Sequence, residues 1–396
     1  MDYAALDTAV SSAEPILSNV PQSVSWDVLH QRHPALIQQV RGSHPYPPEY
    51  QRALDQLFEE ITAGPIEPLR EDAPDRPQWD AWSRDYLGQP WPDVPFLWAE
   101  SYFYRKLLEA VGYFRPGPWQ GIDPFAPQKS EELTDPALEV ELAALDDLAD
   151  LAPGERSAAL VQAAVWGNRA DLGFRLSDPG SVHRTRSADL IVDDSERLWH
   201  LLESSAPTSV CLVADNAGRE LLPDLVLIDH LLGTGLAHHV ELHLKPHPYY
   251  VSDATTMDLV AALRRLLGAR GAAHHIGQRL WQAIVDGRVA VAAHPFYCAP
   301  WSYHRLPTDL AHRFAQATAT IMKGDLNYRR LMGDRYWPAT TSFAALTAYF
   351  PGPVATLRTL KSDVVVGLAE STVDELDATG HAWRVSGTHA LIQTRL

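Results

Sequence analysis

The spacing of hydrophobic positions changes near residue 189. Before it, apolar residues recur every three or four positions, which predicts helices. Tyr50 to Ile61 places Leu54, Leu57, Phe58 and Ile61 on one helical face. Phe96 to Phe114 (FLWAESYFYRKLLEAVGYF) is apolar on most sides, so a buried helix is expected, with Glu100 and Tyr104 sharing a face and Arg105 at its border. Leu138 to Leu148 reads as an acidic amphipathic helix and Ala158 to Leu172 as a second apolar one. Pro-rich breaks at Pro45 to Pro48, Gly64 to Pro77 and Pro116 to Pro127 separate the helices. Residues 1–20 carry no strong pattern and are expected to form a mobile tail.

From Asp189 onward, apolar runs of about five residues alternate with helical stretches of roughly 10 to 15, the pattern of a mostly parallel sheet. Strands are predicted at Val210–Ala214, Val240–Leu244, Val289–Ala293, Thr318–Met322 and Val364–Gly367, with an edge strand within Trp383–Thr394. The expected fold class is α/β: a three-layer αβα sandwich with a mostly parallel, Rossmann-like sheet over residues 186–396, preceded by an all-helical lobe over residues 21–185.

Composition narrows the function. A formal net charge of -17 argues against a nucleic-acid partner, because no general basic field attracts phosphates. No stretch of 18 apolar residues suggests a membrane span, and no basic N-terminal segment leads into an apolar run, so a cytoplasmic protein is expected. The two cysteines, Cys211 within a predicted strand and Cys298, are expected to give no disulfide framework and no thiolate metal site. Of 33 basic residues, five are lysine: Lys106, Lys129, Lys245, Lys323 and Lys361. Three of these five fall in the polar clusters that flank predicted strands, where a compact point charge with three donors suits an anion.

The first such cluster follows Val210–Ala214. Asp215-Asn216 sit where the chain must turn, with Glu220 on the next helix. A carboxylate beside an amide offers two hard oxygen ligands for Mg²⁺ or Mn²⁺, and the same residues also make an ordinary turn and helix cap. The second strand ends in Lys245-Pro246-His247-Pro248 and then Val251-Ser252-Asp253, and the fourth in Lys323-Gly324-Asp325-Leu326-Asn327-Tyr328-Arg329. Parallel neighbours would bring all three to one sheet edge, where open α/β sheets bind ligands. Arg358-Thr359-Leu360-Lys361 precedes the predicted fifth strand and would join them only if that strand ran antiparallel. Acids with an amide, facing lysines and arginines, constitute a metal-plus-anion site. His247 is a candidate pocket residue, whereas His238-His239 and His274-His275 lack carboxylates at metal-ligand spacing. Phe296, Tyr297, Trp301 and Tyr303 could wall a sugar, although core packing is the commoner fate of such residues. Trp166-Gly167-Asn168-Arg169-Ala170-Asp171 reads as a helix C-cap that could also turn Asn168 and Asp171 toward a neighbouring site.

In this order, DNAGRELLPDLVLIDHLL, KPHPYYVSDATTMD, KGDLNYRRLMGDR and LRTLKSDVV resemble the damage-control phosphatase family, long catalogued as a domain of unknown function. The Arg-Thr-x-Lys motif at Arg358–Lys361, WGNRADL at Trp166–Leu172 and the helix with Glu100-Ser-Tyr-Phe-Tyr-Arg105 resemble its sugar-phosphate subfamily, also described as an acidic-residue methyltransferase. The likeness spans roughly residues 90 to 370, and Arg219 departs from it by standing where a bulky apolar residue is expected.

The resemblance implies a metal-dependent phosphatase in which Asp215, Asn216 and Asp253 ligate Mn²⁺, Mg²⁺, Co²⁺ or Ni²⁺. Asp325, Asn327 and Arg329 bind a small phosphorylated metabolite of the fructose 1-phosphate or fructose 6-phosphate type, and Lys361 holds the transferring phosphate. Glu220 falls where the methyltransferase description placed a cofactor contact. With Asp215, Asp253 and Lys361 as the catalytic set, Asn216, Glu220, Lys323 and Arg358 complete the substrate-binding set. Metal-assisted attack by water is the expected reaction, with Asp253 or Asp325 accepting the water's proton. A covalent route through Asp215 ranks lower because Ala217 replaces the second acid of an Asp-x-Asp pair. An S-adenosylmethionine-dependent carboxyl methyltransferase is the alternative, but the strand end lacks a G-x-G loop and that chemistry needs neither Lys361 nor Lys323. A sensor without turnover, or a member repurposed for a biosynthetic phosphate ester, is a further reading. Nothing in the sequence points to an oligomeric state.

Overall fold

A computed structural model describes residues 13–167 and 189–396. Seven strands form one sheet: β1 (Leu190–Asp193), β2 (Thr208–Val213), β3 (Ala237–His243), β4 (Val289–Ala292), β5 (Ala319–Lys323), β6 (Val354–Thr359) and β7 (Ala390–Arg395). Their order is β1-β7-β6-β5-β2-β3-β4. Every neighbouring pair is parallel except β6 and β7. From β2 the chain winds outward through β3 to β4, then returns to place β5 on the other side of β2. The sheet therefore has a switch point between β2 and β5, where a crevice opens beyond the strand ends.

Alternation along each strand divides the core into two layers. Val210, Leu212, Ile321 and Leu357 face a layer covered by the helices Pro153–Trp166, Leu221–Gly233, Thr256–Leu267 and Gly271–Val285. Cys211, Val213, Met322 and Val354 face the opposite layer, built on Leu310 and Phe314 of Thr308–Gln316 and on Tyr328 and Leu331 of Gly324–Met332. These buried positions are mostly β-branched or Leu, as expected for strands covered on both faces. The α/β fold with a mostly parallel sheet is as expected.

Three strand predictions need correction. Val364–Gly367 is not a strand. This apolar run is a buried loop whose polar backbone is met by side chains: Arg358 and Gln393 donate to Val364 and Val366 carbonyls, and Val366 N–H donates to Tyr328 Oη. The strand lies earlier, at Val354–Thr359, where Thr356, Arg358 and Thr359 disguised it as a polar stretch although all three are buried. The C-terminal strand is not an edge either, because β7 lies between β6 and β1, and β1 itself was not foreseen. The Arg358–Lys361 cluster thus follows a strand parallel to β5 and reaches the crevice directly.

The helices of residues 33–110 form their own core. Ile37, Leu54, Leu57, Trp98, Phe103 and Leu107 pack together on the helices His33–Ser43, Pro48–Ala63 and Phe96–Ala110. Helices from Leu133 to Trp166 pack instead against the sheet. The Phe96–Ala110 helix is buried on nearly all sides, as its composition predicts. It docks on the sheet side through Ser101 Oγ at 2.5 Å from Tyr249 Oη and through Tyr104 stacked on Tyr250 at 4.6 Å. Residues 13–18 are held in place: Ile16 is buried and its carbonyl accepts from Phe96 N–H at 2.8 Å. Residues 1–12 of the expected tail, and Asn168 and Asp171 of the WGNRADL segment, lie outside the described residues.

One buried histidine makes this helical core acid-sensitive. His33 is 2% exposed, stacks on Phe103 at 3.7 Å, and neither ring nitrogen has a hydrogen-bond partner. Burial first, then the Arg32 charge, pull its pKa from 6.5 down to about 3. Between those values the unfolded chain binds a proton that the folded chain does not, so stability falls as pH drops through about 6.5 toward 3. The contribution reaches on the order of a few kcal/mol at the acid end. His33→Leu is expected to move the midpoint of acid unfolding, followed by circular dichroism, to lower pH. An unchanged midpoint would show that His33 protonates without opening the core.

Candidate functional site

The crevice beyond β2 and β5 gathers most of the chemistry-bearing residues, and a backbone lattice holds it together. Asn216 and Asp253 form an isolated antiparallel bridge. Ala217 N–H donates to Ser252 O at 2.6 Å, Ala254 N–H to Asp215 O at 2.9 Å, and Lys245 N–H to Ala254 O at 2.9 Å. The turn after β2 is therefore stitched to the segment after β3. Ser252 Oγ donates to Asn216 Oδ1 at 2.8 Å, and Asn216 Nδ2 donates to Glu220 Oε2 at 2.9 Å. The segment is also tied from below. Asp258 accepts from Thr255 N–H at 2.8 Å and from Lys129 Nζ at 3.0 Å, and Lys129 Nζ donates to Asp253 O at 3.0 Å. Just before it, Tyr250 holds a positive φ of 52° while its hydroxyl donates to Glu100 at 3.0 Å.

Asp215 and Asp253 are both buried, at 9% and 3% exposure. Burial first, then Asp253 and Glu220, push the Asp215 carboxyl well above the usual range against the pull of Lys361 and Lys245. Burial likewise raises Asp253, opposed by Lys245, Lys129 and Arg330. Lys245 Nζ lies 3.3 Å from Asp253 Oδ2, yet neither atom makes a hydrogen bond. Lys245 offsets part of the cost of burying Asp253, and two buried acids side by side remain costly without further positive charge. The donor set Asp, Asn, Asp is all oxygen, the composition that suits hard divalent cations, so these residues fit a metal. Gly324 makes room for them. Its φ is +81°, and a Cβ there would fall 1.8 Å from Asp215 Oδ2.

The positive side of the crevice is more varied. Lys361 is 46% exposed at the side chain and its Nζ lies 3.7 Å from Glu220 Oε1. Desolvation works against its charge, but Glu220, Asp215 and Asp325 outweigh it and hold the ammonium above its usual pKa. Lys323 lines the same cleft but is engaged, donating to Ala164 O and pairing with Asp224 at 2.9 Å. Gly167 presses on Glu220 so closely that a Cβ would meet its Cγ at 2.7 Å, which brings the Pro153–Trp166 helix end over the cleft.

Three predicted binding residues face inward, onto partners of their own. Asn327 is fully buried: Tyr303 Oη donates to its Oδ1 at 2.9 Å, and its Nδ2 donates to Ala214 O at 3.2 Å and Lys323 O at 2.8 Å. Arg329 pairs with Asp334 at 2.7 Å and Glu100 at 2.7 Å, fastening the Phe96–Ala110 helix to the sheet domain. Arg358 is fully buried, stacks over Tyr328 at 4.1 Å, and donates to Asp325 at 2.8 Å and Ser362 Oγ at 2.9 Å. Asp325 also accepts from Lys361 N–H at 3.3 Å, which fixes the loop that carries Lys361. Burial would raise the Asp325 carboxyl, but Arg358 and Arg329 hold it below the usual range.

His247 sits against Phe114 at 5.0 Å, where burial lowers its pKa. Phe296, Tyr297 and Tyr303 are core residues around the buried Arg330. Lys129, Asp224, Ser252 and Gly324 were not singled out as site residues from the sequence. Lys129 is remote in sequence, whereas Asp224 carried a signal, lying one helical turn after Glu220. A cavity of about 740 Å³ lies elsewhere, open to the surface of the helical region. It is lined by Glu49, Glu59, Glu60, Glu67 and Glu109 with few cations, a poor match for phosphate.

Open α/β sheets bind ligands beyond the strand ends at a switch point, and here that position carries buried acids and lysines. The family described as "Damage-control phosphatase ARMT1-like domain" matches residues 28–376, and the chain belongs to it. Membership places the protein among the phosphatases. The rat protein named Damage-control phosphatase ARMT1 (Rattus norvegicus) is 32% identical over 381 residues, covering 86% of this chain and 85% of its own length. The zebrafish protein of the same name (Danio rerio) is 29% identical over 377 residues, covering 86% of this chain and 84% of its own. A crystal structure of a DUF89 family protein from Pyrococcus horikoshii aligns with a TM-score of 0.44 and 16% identity over 91% of this chain and 97% of that one.

Gly324→Ala tests the crowding at Asp215. The positive φ alone costs about 1–3 kcal/mol with a side chain, and the new methyl displaces the carboxylate. Lower thermal stability together with weakened Mn²⁺ binding by calorimetry is expected. Retention of both would show that Asp215 can move without consequence.

Proposed function

We propose that this chain is a metal-dependent phosphomonoesterase acting on small sugar phosphates, of the fructose 1-phosphate or fructose 6-phosphate type. The observation that carries the reading is the buried Asp215–Asp253 pair, with Asp253 Oδ2 met by Lys245 only at ion-pair distance, facing the exposed ammonium of Lys361 across the crevice. Asp215, Asn216 and Asp253 hold Mn²⁺, Mg²⁺, Co²⁺ or Ni²⁺. When bound, the cation polarises the phosphate and lowers the pKa of its water.

The chain's own residues do the rest. Lys361 grips the phosphate oxygens as charge shifts onto them, releasing its long contact with Glu220. Glu220 keeps Asn216 oriented by accepting from its Nδ2, which turns the amide oxygen toward Ser252 Oγ. Lys323, neutralised in part by Asp224, contributes a positive floor rather than a mobile grip. Asp325 and Arg358 act as a positioning pair: their hydrogen bonds set the loop from Thr359 to Ser362 and so aim Lys361. Arg329 and Asn327 position the same helix through Glu100, Asp334 and the β5 end.

Purified protein stripped of metal is expected to be inactive, and to release phosphate from p-nitrophenyl phosphate and fructose 1-phosphate once Mn²⁺, Co²⁺, Ni²⁺ or Mg²⁺ is restored. Activity undiminished by thorough chelation would overturn the metal role. Asp253→Ala is expected to abolish turnover with the fold intact by circular dichroism. Lys361→Met is expected to lower kcat/KM for phosphate esters by about 100-fold. A neutral Lys361→Met would reassign that lysine to the surface.

A further inference from the structure

The pairing of β2 with β3 creates a second cluster of metal-ligating side chains, on the opposite face of the sheet from the Pro153–Trp166 helix. Cys211 and Glu241 are register partners, and His243, two residues further along β3, points to the same side. Cys211 Sγ lies 3.9 Å from Glu241 Oε2, and His243 Nε2 lies 3.5 Å from that same oxygen. One ligand atom from each residue falls within 4.8 Å of the others. Asp215 lies four positions after Cys211, about 13 Å along an extended strand, so this cluster is distinct from the crevice.

The histidine is the decisive member. Its side chain is fully buried, and Nε2 has no hydrogen-bond partner. The other ring nitrogen, Nδ1, is 2.6 Å from Tyr297 Oη. A cation held at Nε2 requires the tautomer with the proton on Nδ1, donated to that hydroxyl; in the empty cluster Nε2 faces Glu241 Oε2, and this contact is the largest of the influences that hold the Glu241 carboxyl below its usual range. Orientation of one ring nitrogen by a hydrogen bond on the other is how metal-binding histidines are set, and Tyr297 supplies that orientation here. Glu241 is similarly divided: Arg313 takes Oε1 and leaves Oε2 to the cluster. Arg313 is 54% exposed and Glu241 14%, so the cluster is nearest solvent on its Glu241 side.

We propose that Cys211, Glu241 and His243 form a second cation site, for a borderline divalent ion of the Zn²⁺ class. One sulfur, one imidazole nitrogen and one carboxylate oxygen suit such an ion, whereas the crevice offers oxygen only. Tetrahedral ligation at the usual bond lengths spaces its ligand atoms about 3.3–3.7 Å apart; the His243–Glu241 spacing of 3.5 Å already matches, and the Cys211–Glu241 spacing of 3.9 Å must shorten by side-chain rotation. Binding releases the Cys211 thiol proton to solvent and leaves the thiolate on the ion. Thiolate and carboxylate together balance the dication, with Arg313 as an outer neighbour. Without metal, burial and Glu241 push the thiol pKa up to about 12, which accounts for a neutral cysteine beside an acid. The bound ion would staple β2 to β3 beneath the strand ends.

Co²⁺ titration of the full, metal-stripped protein tests this independently of phosphatase activity. Two equivalents are expected, one of which produces a near-ultraviolet thiolate-to-cobalt charge-transfer band. Cys211→Ser should lose that band and one equivalent while keeping phosphate release, and Cys298→Ser should keep both equivalents and the band. Asp253→Ala should lose the other equivalent and retain the band. Failure of wild-type protein to develop the band, or its survival in Cys211→Ser, would overturn the site. A phosphatase assay that fails while the band appears would leave this inference standing and remove the crevice reading instead.

Discussion

Two carboxylates buried next to each other at the end of a parallel strand are an expensive arrangement, and much of this molecule is organised around keeping Asp215 and Asp253 there. Desolvation and mutual repulsion both favour their neutral forms. What holds them is first a backbone lattice, the Asn216–Asp253 bridge with its flanking hydrogen bonds, which leaves the side chains little freedom to withdraw. Next come cations at graded distances: Lys245 against Asp253, Lys129 on its carbonyl, and Lys361 across the crevice. Four of the five lysines lie at or beside this region, in a chain that otherwise uses arginine. A buried pair held this firmly but left without full hydrogen bonding has the character of a binding site poised for a cation.

The arginines work differently. Arg329, Arg330 and Arg358 are all buried, and their planar donor arrays are filled by carboxylates and carbonyls of the protein itself. Arg329 joins the helical region to the sheet through Glu100, and Arg358 joins β6 to the helix start at Asp325. Guanidinium groups thus build the frame, and the ammonium of Lys361 is the charge left near the surface of the crevice. This division follows from geometry, since a fork of five donors is best used against fixed oxygens, whereas a point charge can follow a moving phosphate.

The aromatic residues that a reader might assign to a sugar wall belong to this frame as well. The Arg330 guanidinium lies over the rings of both Phe296 and Tyr303, and Tyr297 connects His243 to the layer beneath Lys245, which lies 5.7 Å from its ring. Through Tyr297, the proposed thiolate site and the crevice share a packed neighbour without sharing a ligand.

Local features were legible in the sequence for a local reason. A strand ending in Asp-Asn, a Lys-Gly-Asp turn and a Ser-Asp segment each declare themselves within a few residues, because period and turn chemistry depend on near neighbours. The α/β class, most strand positions and the convergence of three clusters on one edge could be read that way. Partnership could not. Val354–Thr359 was hidden because its polar side chains are buried against Gln393, Asp325 and Ser362, and the Val364–Gly367 run misled because its backbone is satisfied by side chains rather than by a neighbouring strand. Whether Arg329, Asn327 and Arg358 face a ligand or the protein, whether Lys129 reaches Asp253, and whether Cys211 meets His243 were all decided by packing and register. The sequence alone determined which chemistry was available and at which strand ends. Only the tertiary structure decided which of those charges were already spent on each other, since burial and pairing join residues that are distant along the chain.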